Sequence, residues 1–468
     1  MIEELKPYPD YKDTGLPWLG QVPGHWELRR LKFLLREVDS RSTSGKEQLL
    51  RVSQYTGVTQ RKSTDGSDEP NTRASTLVGY KKVSSDDLVI NIMLAWNGSL
   101  GISRYDGIAS PAYCVYRFSK NAMPWYYHEL LRLPAYKGRI KIASTGVVES
   151  RLRLYSENLG NIEAILPPPD EQTTIVRFLD HALRRLDRTI HAKRKTIALL
   201  NEQKQAIIHR TVTRGLDPNV PLKDSGIPWL GQIPAHWEVR RLRHLIKERL
   251  TYGANAAAEF TNPDWPRYIR ITDFRADGSL KANTFRSLPP SIACDYMVSP
   301  GDILLARSGA TVGKAFLVVK LTGAACHAGY LIRARPNRDL VSPEFLFLFT
   351  QSRAFAAWKD STFNTATIQN IGADKYANLA VPLPSLVEQQ AILDSLAKEQ
   401  APLLATISRI EREIDLLREY RTRLIADVAT GKLDVREAAA RLPDEAPVDE
   451  PVLEALDETD DELAEEEA

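Results

Sequence analysis

Few residues of this chain could do chemistry on their own, and their spacing defeats most of the chemistries they suggest. Gly309-Ala-Thr-Val-Gly-Lys314 has the glycines and lysine of a phosphate-cradling loop. Only three residues separate its glycines, however, and Ala315 stands where a serine or threonine would hold magnesium. Asp170, with Glu202 and Lys204, has the side chains of a metal-dependent nuclease. Both groups fall on one helical stretch, where ~1.5 Å of rise per residue puts them dozens of ångströms apart, so they read as a solvated helix face. The 8 histidines are scattered. Two of them, His25 and His236, sit inside a repeated tryptophan motif and suit packing or a structural hydrogen bond. Cys114, Cys294 and Cys326 make neither a disulfide framework nor a paired zinc pattern, which points to a reducing, cytoplasmic setting. With no supported metal site, cofactor loop or methyl-transfer motif, the chain is expected to be non-catalytic and to carry no cofactor of its own.

Binding chemistry is better represented. The formal net charge of +2 hides an asymmetry, because residues 437–468 hold 14 acidic residues and one basic residue, Arg441. The remaining 436 residues carry 61 basic against 46 acidic side chains, a net +15 that favours a polyanionic partner. Two internal stretches, 37–160 and 246–377, each net +5. Lys137, Arg139, Lys141, Arg151 and Arg153 in the first, and Arg270, Arg275, Arg307 and Lys314 in the second, are candidate nucleic-acid contacts, with solvated surface charge as the alternative for each. Arg104, Asn97, Ser99, Trp96, Ser308, Asn364 and Gln369 complete the set of side chains able to meet phosphates, base edges or base faces.

What must position these residues is a duplicated frame. Lys12–Leu34 (KDTGLPWLGQVPGHWELRRLKFL) and Lys223–Leu245 (KDSGIPWLGQIPAHWEVRRLRHL) share sixteen of 23 positions. A second match pairs Asn161, Leu166, Pro167, Glu171, Gln172, Ile175 and Leu179 with Asn378, Leu383, Pro384, Glu388, Gln389, Ile392 and Leu396. It continues to Thr213, Leu216 and Asp217 against Thr430, Leu433 and Asp434. The chain is therefore two tandem copies with alike ends and unlike middles. The middles share little beyond an acidic-apolar step, Asp87-Leu-Val-Ile against Asp302-Ile-Leu-Leu, and a Ser-Thr pair, Ser144-Thr145 against Ser361-Thr362. Short β-rich runs at Leu88–Leu94, Ala112–Phe118, Tyr268–Ile271, Ile303–Ala306 and Ala315–Val319, broken by turn residues, predict mixed α/β domains. Trp18, Trp26, Trp229 and Trp237 occupy the same places in both copies. Residues that read different sequences should differ between copies, so these tryptophans are expected to be packed in each copy's opening loop rather than stacked on bases.

The segments after Pro169 and Pro384 read as helices. Ser385 with Glu388 fits a capping box. Leu403, Ile407, Ile410, Ile414, Leu417, Arg421, Leu424 and Val428 follow 4-3 spacing, the mark of a coiled-coil seam. Pro402 is expected to begin the long helix, with a short helix before it. A looser stripe runs through Ile175, Leu179, Ala182, Leu186, Ile190, Ile197, Leu200 and Ile207. The first segment is basic (10 against 5 over 170–215) and the second mildly acidic (7 against 9 over 386–434), so the two are expected to pair antiparallel. The alternative is that each packs only on its own domain.

The order of these pieces carries a resemblance. GxPWLGQxPxHW, a variable domain and a helix opened by Leu-Pro and Glu-Gln, repeated twice, resembles the specificity subunit of type I restriction-modification systems. Ala95-Trp-Asn-Gly-Ser-Leu-Gly101 with Ser110-Pro-Ala-Tyr113, and Pro300-Gly-Asp-Ile-Leu304 with Arg307-Ser-Gly309, are similar to target-recognition-domain patterns of that family. The resemblance spans residues 12 to about 434, with Pro402 and the acidic tail as departures. It implies an α+β fold: two target-recognition domains separated by two long helices paired as an antiparallel coiled coil, with a pseudo-two-fold internal repeat. The corresponding boundaries are 1–160 and 218–377 for the recognition domains, 161–217 and 378–436 for the helical regions, and 437–468 for a disordered acidic tail. It also implies double-stranded DNA as ligand, read as a bipartite asymmetric target. The implied partners are two methylation subunits, with S-adenosylmethionine and adenine methyl transfer, and restriction (translocase-nuclease) subunits, with ATP and magnesium. A self-contained DNA-modifying enzyme and a coiled-coil scaffold without DNA binding are the rival functions. No apolar run approaches a membrane span, and the acidic, proline-bearing N-terminus does not read as a secretory signal.

Overall fold

Each copy of the repeat closes on itself through its two ends. In the computed structural model, which describes residues 5–61, 74, 76–148, 151–275, 279–309, 311–362 and 370–443, strand Glu27–Arg30 of the first tryptophan motif pairs antiparallel with Glu163–Leu166, just ahead of the first long helix. Strand Glu238–Arg241 pairs with Ala380–Leu383 in the same register, Glu27 opposite Leu166 and Glu238 opposite Leu383. The two matching segments of sequence are thus one structural element, which is why they match together.

The repeated Glu-Gln pair finishes the closure. Gln172 accepts the Met123 N–H at 2.7 Å and donates to the Asn121 and Pro167 carbonyls, while Gln389 accepts the Ser342 N–H at 2.7 Å and donates to those of Leu340 and Pro384. Both glutamines are buried, and a buried amide must find such partners. Ser385 caps the Glu388 N–H at 3.3 Å, but the return half of the expected capping box is not made, because Glu388 turns to Trp237 and His236 instead.

The chain forms two compact units, residues 1–194 with 412–468, and 195–411. The central sheet of the first runs Leu35–Glu37, Tyr113–Phe118, Leu88–Asn91, Leu100–Ile102, and that of the second runs Thr251–Tyr252, Leu331–Ala334, Ile303–Ala306, Ala315–Leu317. All neighbours in both are antiparallel. Leu88–Asn91 and Ile303–Ala306 are buried along their whole length, so they read as continuous apolar runs rather than alternating ones. The acidic step before each now has a reason. Buried Asp87 accepts the Ser84 N–H and pairs with Arg117 at 3.0 Å, and buried Asp302 accepts the Ser299 N–H and pairs with Arg335 at 2.7 Å. Around this shared frame the units differ. The first adds the hairpin Leu50–Ser53/Gly57–Gln60 and the antiparallel pair Lys81–Val83/Gly107–Ala109. The second adds the parallel pair Arg267–Ile269/Ala325–His327.

The long helices span Pro169–Arg214 and Leu386–Ala429. Pro402 lies inside the second and does not begin it, which corrects the expectation of a break. Pro402 and Lys398, whose carbonyl loses its donor, are both exposed, so water can take that hydrogen bond. Packing at Ile392 and Leu396 before the proline, and at Ile407 and Ile410 after it, holds the helix on course. Within the first unit Asp187 meets Arg421 at 3.2 Å and Lys193 meets Glu413 at 2.5 Å, an antiparallel order. In the second, Arg210 meets Glu399 at 3.1 Å. Surface pairs of this kind add little stability; Lys193–Glu413 and Arg210–Glu399 follow the basic and acidic bias of the two helices, whereas Asp187–Arg421 has its charges the other way round.

Of the seam positions, Ile175, Leu179, Ile190, Ile407, Ile410, Ile414, Leu424 and Val428 are buried. Leu186, Ile197, Leu200, Ile207, Leu403 and Leu417 are half-buried. Phe178, Ile208 and Val212 are also buried, a shift of one position from the stripe read at Ile207. The first unit's core takes Leu424, Val428 and Ala429 from the second long helix, then Val435, Ala439 and Leu442 beyond it. Ile208 and Val212 of the first helix serve the second unit's core in the same way. Residues 437–442 therefore depart from the expected disordered tail. Arg436–Ala440 is a short helix, and Ala439 and Leu442 are 2% and 7% exposed. Residues 444–468 of that tail lie outside the described residues. Among the described residues no helix is long and apolar enough to cross a membrane.

Candidate nucleic-acid interface

The loop following the buried strand of each unit carries polar residues from the sequence set, and the two loops differ in chemistry. In the first unit, Leu88–Asn91 runs into a single 3-10 turn, Ala95–Asn97, closed by Gly98 at φ 96°, a left-handed conformation that favours glycine. Lys137 packs against this glycine, its Cε 2.5 Å from where a Cβ would stand, but that flexible side-chain end could move aside, so the backbone conformation is what favours glycine. Lys137 and Lys141 stand one turn apart on helix Pro134–Ala143, with the Lys141 ammonium 5.4 Å from the centre of the Trp96 ring. The indole N–H of Trp96 donates to the Met93 carbonyl at 3.1 Å, which fixes the ring. Burial, then the nearby Arg132 guanidinium, lowers the Lys137 pKa below the usual lysine value. Asn97 is exposed and donates through Nδ2 to Gln54 Oε1, in the turn of the hairpin Leu50–Ser53/Gly57–Gln60.

Other members of the first set fall differently. Ser99 is buried and withdrawn from surface contact. Arg104 stacks on Trp125, guanidinium carbon 4.1 Å from the ring centre, and the Trp125 N–H donates to Asp86 at 2.9 Å. Arg139 is half-buried, and its Nε has no hydrogen-bond partner among the described residues. Arg151 is exposed, and Arg153 donates to the Leu152 carbonyl at 3.2 Å.

In the second unit the equivalent loop joins Ile303–Ala306 to Ala315–Leu317. Arg307 lies with its guanidinium carbon 5.0 Å over the Tyr252 ring, and its buried Nε has no partner among the described residues. The Tyr252 hydroxyl accepts the Ala373 N–H at 3.0 Å, which holds that platform in place. Ser308 bridges to Asn370, and Lys314 is exposed. The Val312 N–H bonds to the Gly309 carbonyl, and Lys314 leads into strand Ala315–Leu317, whereas a phosphate loop leads into a helix. Arg270 is committed elsewhere: it pairs with fully buried Asp273 at 2.8 Å and donates to the Thr284 carbonyl at 3.0 Å, so it serves as internal structure. Arg275 is exposed beside Ser279. Asn364 and Gln369 lie outside the described residues.

Sequence reasoning passed over Gln54, Arg132 and Tyr252, because only the tertiary fold brings them to these loops. Glu171 and Glu388 did carry a signal, their repetition in the second matching segment of the two copies. Among the described residues no group of three or more histidines, cysteines or acids is placed to hold a metal ion.

The profile of the type I restriction modification DNA specificity domain matches residues 234–415. The type I restriction enzyme MjaVIII specificity subunit of Methanocaldococcus jannaschii is 22% identical over 370 residues, 76% of this chain and 83% of that protein. The EcoBI specificity subunit of Escherichia coli is 26% identical over 321 residues, 64% of this chain and 66% of its own length. Over residues 234–415 the chain is thus similar to that specificity domain, and over most of its length it is similar to type I restriction specificity subunits. In fold, it is similar to a chain from a structure describing complex assembly and conformational transition of the type I R-M system, with a TM-score of 0.63 at 16% identity. That similarity covers 88% of this chain and 99% of the other. The similarity in fold covers both units, and the loop at Arg307 and Ser308 lies inside the residues matched by the specificity-domain profile.

Proposed function

We propose that the protein is the sequence-reading subunit of a type I restriction-modification complex. It binds double-stranded DNA, reads a bipartite, non-palindromic target with one unit per half-site, and directs partner subunits to that target. Two methylation subunits would supply S-adenosylmethionine-dependent adenine methylation, and restriction subunits would supply ATP- and magnesium-dependent translocation and cleavage. The observation that carries this reading is the pairing of sameness and difference. Both units have the same strand order and the same buried Asp–Arg pair, yet the loop after the buried strand offers Trp96 and Asn97 in one and Arg307 and Ser308 in the other. Phosphate contacts from flanking lysines position a protein on DNA, while differing side chains at base edges give each half its sequence.

The test maps genomic methylation in a host expressing the full complex, then exchanges residues 37–160 for the matching domain of a relative. One half-site changes while the other half and the spacing persist. A palindromic target, or one whose halves change together, would sink the reading.

A further inference from the structure

We propose that the first unit reads an A·T base pair through the paired side-chain amides of Gln54 and Asn97, with Arg132 as the residue that positions them. This rests on the reading of the chain as a DNA-recognition subunit and specifies what one of its loops recognises.

The two amides are 43 residues apart in sequence and meet through Asn97 Nδ2 and Gln54 Oε1. Among the described residues no other hydrogen bond engages Asn97 Oδ1 or Gln54 Nε2, so the pair presents one acceptor and one donor side by side. The major-groove edge of adenine offers the complement, a donor at N6 and an acceptor at N7. Guanine offers two acceptors there, cytosine one donor and thymine one acceptor, so adenine is the one base whose own edge satisfies both free atoms; in a G·C pair the same donor and acceptor are split between two bases, cytosine N4 and guanine O6.

Arg132 supplies the rigidity that base reading needs. Its guanidinium donates to the Leu100 carbonyl at 2.7 Å, and to those of Gln54 at 3.1 Å and Tyr55 at 2.5 Å. One side chain therefore ties the backbone of the hairpin turn to the strand that leaves the Ala95–Asn97 turn. Lys137, packed against Gly98, and Lys141, over Trp96, flank the amides with charges suited to phosphate, which carry no sequence information. The corresponding loop of the second unit presents the Arg307 guanidinium on Tyr252, a different chemistry suited to a different base.

The experiment is a binding selection from randomised DNA duplexes with the full-length chain, as wild type, Asn97→Ala, Gln54→Ala and Arg132→Lys. Wild type enriches a two-part sequence with adenine at one position of one part. Each variant loses roughly 10- to 100-fold of the preference at that position, while preferences in the other part hold and the melting temperature holds for Asn97→Ala and Gln54→Ala. Replacing that adenine with 7-deazaadenine, which lacks the N7 acceptor, weakens wild type but not Gln54→Ala; a merely structural Gln54 would leave both equally sensitive. The proposal is overturned if a two-part sequence is enriched and Asn97→Ala and Gln54→Ala leave every position unchanged, or if the base they affect is not adenine. A wild type that enriches no sequence overturns the recognition reading itself, and this proposal with it.

Discussion

The indole N–H of Trp26 donates to Glu171 Oε2 at 2.9 Å, and the same carboxylate meets His25 Nε2 at 2.7 Å and the Tyr8 hydroxyl at 3.0 Å. Trp237 and Glu388 repeat the bond at 2.9 Å, with His236 at 3.0 Å. Trp26 and Trp237 are fully buried, so neither ring is offered to a base. The tryptophan motif and the Glu-Gln pair clamp the two ends of each copy, leaving the segment between them free to diverge.

Glu171 and Glu388 should therefore both matter for stability, but unequally. Arg436 adds a further contact to Glu171 at 3.5 Å. Glu171→Ala strips the acceptor from a buried indole and a buried tyrosine hydroxyl, at roughly 1–3 kcal/mol for each donor left unsatisfied. Glu388→Ala orphans one buried indole. In urea unfolding Glu171→Ala is expected to show the larger loss, and equal losses would contradict this account of the clamp.

Acid should weaken the protein through histidines held neutral. Burial first, then the nearby Arg132, Arg104 and Arg421, push the His128 pKa well below 6.5, and its Nδ1 accepts the Ile102 N–H at 3.1 Å. Burial likewise lowers the His327 pKa. A folded-state pKa below the unfolded one means the unfolded chain binds more protons, so this stability is present above about pH 6.5 and is lost as pH falls. Each histidine contributes a slope of up to ~1.4 kcal/mol per pH unit. His128→Gln should flatten the decline in unfolding free energy between pH 7.5 and 5.5, and an unchanged slope would count against the assignment.

Pro402→Ala should stabilise the second long helix. The residue is exposed inside a continuous helix, where proline costs about 3 kcal/mol relative to alanine. A gain of roughly 1–3 kcal/mol in unfolding free energy with unchanged helix content is expected. A loss would show that the packing around Pro402 requires the proline ring itself.

The frame was legible because it is written twice. Matching ends and the Asp87 and Asp302 steps marked what the fold repeats, and the 4-3 spacing marked the long helices. Three things were hidden, each for a physical reason. Local rules put a helix boundary at Pro402, but packing on either side overrides one missing hydrogen bond. Arg270 looks like any surface cation until the fold shows Asp273 buried beneath it. Gln54 and Asn97 have no periodic relation, so only the folded unit reveals that they touch.

The acidic tail can be divided by truncation. Val435, Ala439 and Leu442 are buried in the first unit's core, and Asp434 N–H bonds the Lys6 carbonyl at 2.8 Å, so the chain up to Pro443 belongs to the folded body. Residues 444–468 add thirteen acidic side chains and no basic one. A chain ending at Pro443 should keep its melting temperature and bind nonspecific DNA more tightly at low salt, because a competing polyanion is gone. A chain ending at Val435 also loses two buried apolar residues, and burying a large aliphatic side chain is worth about 1.5–3 kcal/mol. It should melt several degrees lower. Two melting curves and a salt titration decide the matter: equal stability of the two truncations would mean that Ala439 and Leu442 contribute nothing, and weaker DNA binding by the Pro443 chain would mean that the tail assists binding rather than opposing it.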